Sequence, residues 1–595
     1  MVSNISGNNI IAENSETVKR VFDYPERGYL YDRNGELLVA NESSYALLVV
    51  PNQLKNIDTT ELCNLLEIDK KYFEKQIKKA KNWSPRLASV FMSNLSKEEY
   101  AYLQEKLYKY EGFRLKRQLN RSYPHNSAAN VLGYVNEVTQ YTAKNNPDYI
   151  PGEFIGITGV EKYYENMLRG KKGVKYLQRN NHNKVMGSFK NGIYDTLPIH
   201  GMDLTLTIDS ELQRYGELLL KGKRGGIVSI EPSTGEILSL VTMPNYDPRL
   251  MVGRTRSSYS NSLFEDTINK PMFDRALMAM YPPGSPFKLI QGLIGLQEGV
   301  IDTKTTSRCE HGYRYGNRKK DIMRCHCGIN YKPIDLKLAI AKSCNSYFAD
   351  TYSRIINKYS TPSEGIDNWS RHVKSFGFGG YLGYDLPSGQ KGAVPDSKLY
   401  NKWYPNLNWT TTYTISNAIG QGQVLTTPIQ LANMAAAIAN RGHYYTPHIL
   451  KGKPEIYEVD KRHKQKNITS IDKIHFEPII EGMHEVFKTG TASHVAIKGM
   501  DVCGKTGTTE NFKKINNKKI QFEDHSIFIA FAPKFNPKIA IAVYIENGGF
   551  GSMIAAPITS LMIQKYLTNE TNKYWEKRII ETSLENVYLN QQNLK

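Results

Sequence analysis

An α+β chain of two or more domains is predicted by three observations. Its 595 residues exceed what a single hydrophobic core usually organises. Its clearest strand runs fall at two distant places: "GGIVSI" and "EILSLVTM", joined by the turn signal "EPSTG", and much later "MDVCGKTGTT", "HSIFIAFAP" and "KIAIAVYIE". Between them lies a long helical middle. One strand pair early and three strands late imply a five-stranded antiparallel sheet flanked by helices, with a helical layer inserted into it.

Taken in order, the chain from Thr17 to Ile199 mixes alternating runs such as "SSYALLVVP" with helical patterns such as "SKEEYAYLQEKLYKY". "VMGSFKNGIYDTLPIHG" is rich in turn formers and reads as a connector. "DLTLTID" alternates strictly, as a half-buried strand does, and an amphipathic helix begins near Ser210. In "MYPPGSPFKLIQGLIGLQ", Ser285 is placed as an N-cap with Pro286 at the first helical position, ahead of Phe287, Leu289, Ile290, Leu293, Ile294 and Leu296. "TTPIQLANMAAAIANRG" is a helix punctuated by Thr427, Pro428 and Gly442, with an Ala-rich face suited to close packing. "KKINNKKIQFED" reads as a charged loop; His525 follows it, bordering the cleft at most and expected to be an ordinary surface or core histidine.

Composition is that of a globular chain, with 40% hydrophobic and 23% charged residues. The net charge of +19 suits polyanionic surroundings: nucleic acid, anionic lipid or a carboxylate-rich wall polymer. No nucleic-acid motif accompanies the basic residues, so a solvated lysine-rich surface is the default. No stretch has the apolar length of a membrane span, and the first twenty residues are too polar for a secretory signal. There is no internal repeat at solenoid or propeller period.

The chemistry is carried by a constellation. Ser285 and Lys288 stand one helical turn apart; Ser343 and Asn345 follow in "IAKSCNSYF"; Lys505, Thr506 and Gly507 follow in "DVCGKTGTTE" on an expected strand. Ser-x-x-Lys, Ser-x-Asn and Lys-Thr-Gly are each common alone, but in this order and at domain-scale spacing they are the signature of penicillin-binding proteins and serine β-lactamases. A serine hydroxyl needs a base, and a lysine serves if burial and a second cation lower its pKa; the helix N-terminus and Lys505 are expected to do this to Lys288. Ser343 would relay a proton, Asn345 would bind a substrate amide and steady Lys288, and Lys505 with Thr506 would hold a carboxylate. Gly507 would let substrate lie close along the strand, and the N–H groups of Ser285 and Thr508 would form an oxyanion hole. Two decoys fail: Lys488, Thr489 and Gly490 end a helix, and Ser470 with Lys473 come after the Ser-x-Asn motif.

These motifs resemble a class B penicillin-binding protein, and the resemblance covers most of the chain. "YPERGYLYDRNGELLVAN", with Arg27, Gly28, Asp32, Arg33, Asn34 and Gly35, is similar to the family's opening box. "RSYPHNSAANVLGYV" and "GITGVEKYYENMLRGKKG", with Gly159, Glu161, Leu168 and Gly170, resemble later boxes of its non-catalytic pedestal. These are read as structural, with buried Arg and Asp pairs stapling the domain. The resemblance implies a pedestal over residues 1–200, a transpeptidase domain over 201–570 and a tail over 571–595. "GQGQVLTTPIQLANMAAAIANRG", "DHSIFIAFAP" and "ENGGFGSMIAAPI" are similar to the elongation-specific branch, whose division-specific relative is the nearest alternative.

What the resemblance implies is a D,D-transpeptidase of lateral wall growth. Ser285 would attack the penultimate D-Ala of a stem peptide, release the last D-Ala and pass the acyl group to an amine of a neighbouring stem; β-lactams would acylate the same serine. No cofactor is needed for catalysis. The expected partner is a membrane glycosyltransferase of the shape, elongation, division and sporulation type, with no nucleic acid. The family works outside the inner membrane behind one N-terminal span, so this sequence is expected to be cut after the anchor with Met1 supplied; a soluble natural protein is the alternative. The rival activities are a D,D-carboxypeptidase, a β-lactamase, and a non-catalytic scaffold or β-lactam sensor. A β-lactamase needs no pedestal, and intact motifs argue against a dead scaffold.

One segment stands apart. "RCEHGYRYGNRKKDIMRCHCG" carries Cys309, His311, Cys325, His326 and Cys327. Such groups suit a structural zinc, with Cys309, Cys325, His326 and Cys327 as candidate ligands and His311 in reserve; a Cys309–Cys325 disulfide or free thiols are the alternatives. Cys344 and Cys503 read as small packing residues.

Overall fold

The computed structural model describes residues 18–55, 57–149, 153–180, 185–253, 255–329, 331–405, 408–515 and 518–592. The alternating run before Val50 folds as the strand Leu37–Val49, which pairs antiparallel with Ser89–Leu95 and with Phe113–Ser122. Helices Thr59–Leu65, Lys70–Trp83 and Lys97–Lys106 are capped by Asp58, Asp69 and Ser96, the last in a capping box with Glu99. Leu62, Phe73 and Leu103 from these helices join Leu47, Phe91 and Phe113 in an apolar cluster of their own.

The stapling charges of this half differ in detail from the expected Arg–Asp pairs. Glu161 is fully buried and accepts from Arg27 Nε at 2.6 Å and from Arg121 Nε at 2.7 Å, while Arg27 also reaches Glu165 at 2.6 Å. Burial pushes the Glu161 pKa up, but the Arg121 and Arg27 charges outweigh it and lower the pKa. Among the described residues Asp32 pairs with no arginine; it accepts from the N–H of Asn34 and Glu36, and from the N–H and hydroxyl of Ser210. It therefore ties the opening box to the first helix of the second half. Arg33 crosses the same joint to Glu231 at 3.2 Å and Glu236 at 3.3 Å. The strand Leu204–Leu206 continues the joint, lying parallel to Leu30–Tyr31 and antiparallel to Leu450–Lys451.

In the second half, helix α1 (Ser210–Leu220) precedes the hairpin β1 (Gly225–Ile230) and β2 (Ile237–Met243). The helical middle contains α2 (Lys288–Gln297), α3 (Leu336–Ala341), α4 (Asn345–Asn357), α5 (Pro428–Ala439) and α6 (Phe476–Lys488). Then come β3 (Cys503–Ile515), β4 (Lys518–Ala532), β5 (Ile539–Ile545) and α7 (Ala555–Thr568). The sheet is five-stranded and antiparallel, in the order β2-β1-β5-β4-β3. Every residue of β1 and β5 is buried, as expected of central strands covered on both faces. Every residue of α5 is buried too, and it packs on β1, β4 and β5.

One expectation changes. The "charged loop" is the far end of a hairpin, because β3 and β4 remain paired out to Ile515 and Lys518. Backbone pairing holds strands whose side chains need no core, and Lys519 covers the half-exposed Phe512 ring at 4.0 Å. The C-terminal residues form α8 (Lys573–Glu581) and α9 (Glu585–Gln592). Lys223 Nζ donates to Ile579 O at 2.8 Å, and Tyr588 OH donates to Glu546 O at 2.9 Å, so both helices are docked on the sheet domain. No helix among the described residues is long and apolar enough to cross a membrane.

Candidate active site

Ser285 is not the cap of its helix. Gly284 is, at φ +61°, and Ser285–Phe287 form a 3₁₀ turn leading into α2, with no side-chain cap bond. The turn is held by close backbone contact: Gly284 N donates to Gly420 O at 2.9 Å, and a Cβ on Gly420 would lie 2.3 Å from Gly284 O. A Cβ on Gly284 would lie 2.7 Å from Thr509 Oγ1 of β3. A Cβ on Gly507 would lie 2.5 Å from Pro286 Cδ, so the Ser285 turn sits directly on the Lys-Thr-Gly strand.

Lys288 opens α2 and is fully buried. Its Nζ donates to Asn345 Oδ1 at 2.6 Å, Ser343 O at 2.8 Å and Ser343 Oγ at 3.1 Å. Ser343 reaches this place by a left-handed turn, φ +56°, between α3 and α4. Burial pushes the Lys288 pKa down to about 8, against a raising influence of Cys325, Cys344 and Cys327. Burial and then the Lys288 charge depress Lys505, whose Nζ donates to Thr506 O at 3.0 Å; the repulsion between the two cations is mutual.

Along β3, Thr508 Oγ1 accepts from Gly551 N at 3.2 Å, and a Cβ on Gly551 would lie 2.1 Å from Gly507 O. The hydroxyls of Thr506 and Thr491 are 2.6 Å apart. The structure thus brings together Ser285, Lys288, Ser343, Asn345, Lys505, Thr506, Gly507 and Thr508. Sequence reasoning missed Gly420, Thr491 and Gly551; "GQG" and "GGFG" signal only turns, and Thr491 adjoins the decoy. Both decoys stay outside: Lys488 ends α6, and Ser470 Oγ bonds His372 at 2.7 Å and Ser375 at 3.0 Å. His525 is half-buried, packed on Tyr281 and Tyr544 and accepting from Asn547 N at 3.1 Å.

The cysteine segment lies against this centre. Cys309, Cys325, Cys327 and Cys344 have sulfurs within 4.8 Å of one another, and three of the four are buried. Two candidate assignments are corrected: His326 is exposed and outside the group, since its neighbours Cys325 and Cys327 turn inward, and His311 is exposed against Tyr331. Cys344, read as packing, is the fourth member, because the turn at Ser343 aims it inward. All six cysteines are free, so the Cys309–Cys325 disulfide is absent. Tetrahedral zinc–thiolate bonds of about 2.3 Å set sulfurs about 3.8 Å apart; Cys327–Cys309 is 3.6 Å and Cys325–Cys344 is 3.8 Å. The donor set fits such an ion. Cys325 Sγ also accepts from Asn345 N at 3.2 Å, and Arg324 O accepts from Asn345 Nδ2 at 2.8 Å.

The chain is similar to known proteins along most of its length. The family model "Penicillin binding protein transpeptidase domain" matches residues 225–564, and "Penicillin-binding Protein dimerisation domain" matches residues 22–206. The chain is 33% identical over 560 residues to peptidoglycan D,D-transpeptidase MrdA of Acinetobacter baumannii, covering 90% of this chain and 80% of that one. It is 29% identical to the Escherichia coli K12 protein of the same name, covering 92% and 88%. The penicillin-binding protein PBP2 of Helicobacter pylori, solved in complex with MreC, superposes with a TM-score of 0.76 at 27% identity, covering 92% of this chain and 99% of that one.

Proposed function

The chain belongs to the class B penicillin-binding proteins, of the penicillin-binding protein 2 type, and from that premise we propose how its residues perform peptidoglycan D,D-transpeptidation. The observation that carries the assignment of roles is the buried Lys288 amine, one turn from Ser285 and bonded to both Ser343 and Asn345. In its neutral form Lys288 takes the Ser285 proton as Oγ attacks the carbonyl of the penultimate D-Ala of a stem peptide. The N–H groups of Ser285 and Thr508 receive the oxyanion. Ser343 delivers the proton to the departing D-Ala amine, leaving an acyl-Ser285 ester and free D-Ala. The amine of a second stem then attacks the ester, its proton returns by the same route, and Ser285 is released with the cross-link made. Lys505 and Thr506 hold the substrate carboxylate, and Asn345 the stem amide. Hydrolysis of the ester by water would be D,D-carboxypeptidase activity.

The pedestal is assigned to residues 1–200, the catalytic domain to 201–570 and the tail to 571–595; the family matches support this division. We place the catalytic domain outside the cytoplasmic membrane, working with a membrane glycosyltransferase and with a partner such as the MreC bound by the Helicobacter pylori relative. No cofactor takes part in catalysis. The four thiols of Cys309, Cys325, Cys327 and Cys344 would hold a structural zinc, which would fix the start of α4 that carries Asn345.

Intact mass after incubation with benzylpenicillin tests the nucleophile. A stable adduct mapped to Ser285, absent from Ser285→Ala, is expected. An adduct on another residue, or hydrolysed drug with no adduct, would overturn the assignment.

A further inference from the structure

The Lys-Thr-Gly copy at Lys488, Thr489 and Gly490 ends α6 outside the catalytic constellation, yet the loop it opens touches the active centre. Thr491, the next residue, places its hydroxyl 2.6 Å from that of Thr506. The loop is fastened at the other side of the cleft: Thr491 N donates to Ala341 O at 3.2 Å, and Lys342 Nζ donates to Thr489 O at 2.5 Å. Ala341 and Lys342 immediately precede Ser343. Gly490 permits the approach, since a Cβ there would lie 2.6 Å from Ala341 O. The stretch from Thr489 to Thr491 therefore bridges the Ser-x-Asn turn and the Lys-Thr-Gly strand.

We infer that Thr491 is a positioning residue for the substrate carboxylate, acting through Thr506. This rests on the reading above that Thr506 binds that carboxylate. A threonine hydroxyl has one proton to give and two lone pairs to accept with. Thr506 can give its proton to a carboxylate only if its bond to Thr491 is one it accepts. Thr491 is therefore the donor, and its donation polarises the Thr506 hydroxyl toward the anion. Deleting the Thr491 hydroxyl frees the Thr506 rotor and removes that polarisation, without touching Ser285 or Lys288.

The test uses benzylpenicillin and its methyl ester, which lacks the anion, with acylation resolved into the binding constant K and the acylation rate. Thr491→Val is expected to weaken K for the acid by up to about 10-fold, the size of one net hydrogen bond between neutral groups, and to leave the ester unchanged. Thr491→Ser should restore the acid. Thr506→Val should lose the same preference for acid over ester, and the double variant should lose no more than Thr506→Val alone. If Thr506→Val keeps its preference, the carboxylate reading itself fails. If Thr506→Val loses it and Thr491→Val does not, or if Thr491→Val slows acid and ester equally, Thr491 is only a packing residue. Thr491→Ser, which keeps hydroxyl and fold, decides the matter if the valine variant is unstable: normal acid preference supports the inference, and a loss shared by acid and ester overturns it.

Discussion

Replacing Gly507 by alanine gives a direct measure of how closely the nucleophile's turn rests on the substrate strand. The new methyl carbon would stand 2.5 Å from Pro286 Cδ and 3.1 Å from Ile527 Cβ. Unstrained carbon contacts need about 3.5–4.0 Å, so something must yield by about 1 Å. Neither side yields easily: Pro286 is a ring fused to the backbone next to Ser285, and Gly507 is laddered to Ile527 of β4. Overpacking of this kind costs about 1–3 kcal/mol of stability. Displacing the Ser285 turn by about 1 Å should slow acylation on the order of 100-fold. The assay is the time course of benzylpenicillin adduct by intact mass, with thermal unfolding alongside. Gly380→Ala is the control, since a Cβ there meets nothing within 4 Å. Wild-type acylation by Gly507→Ala would refute the contact as a determinant of nucleophile position.

Lys288, pushed down to about 8, should give an acylation rate that climbs with pH through that value and levels above it, because the neutral amine is the base. Lys288→Arg should be slower by about 100-fold or more at every pH, and a flat wild-type profile across the neutral to mildly alkaline range would exclude Lys288 as the base. Glu161→Ala leaves the buried Arg121 guanidinium without its carboxylate, a loss of about 3–5 kcal/mol. Hydrogen exchange should report it as lost protection around residues 121–165, and unchanged protection would contradict it. Elemental analysis should find about one zinc per chain, with Cys344→Ser and Cys325→Ser depleted and His326→Ala unaffected; metal retained by both cysteine variants would disprove the four-thiol site.

The five strands and the order of the three motifs were legible because each is a local pattern. Central strands are apolar runs, and a catalytic Ser-x-x-Lys keeps its spacing whatever lies around it. The geometry between segments was not legible in the same way. Gly284 rather than Ser285 caps the 3₁₀ turn, and a Cβ there would collide with Thr509, a residue more than two hundred positions away. Cys344 was passed over, and His326 chosen, because spacing along the chain says nothing of which side chains a left-handed turn at Ser343 will aim inward. Asp32 was expected to face arginine, but the nearest unsatisfied donors were backbone N–H groups and Ser210. Thr491 carries no signal of its own, since its meaning lies in a hydroxyl across the cleft.

The strand order also sets when the enzyme comes into being. β1 finds its neighbour β5 about three hundred residues further along the chain, a separation that makes late, slow closure the rule. Ser285 and Lys288 are in place on a helix long before Lys505 and the oxyanion-hole strand exist for them to work with. A chain emerging N-terminus first thus carries an unarmed nucleophile and a naked apolar strand edge until its last tenth arrives. Premature termination anywhere before Ile539 should yield no partial enzyme, only a sheet with a missing centre and a substrate for proteolysis.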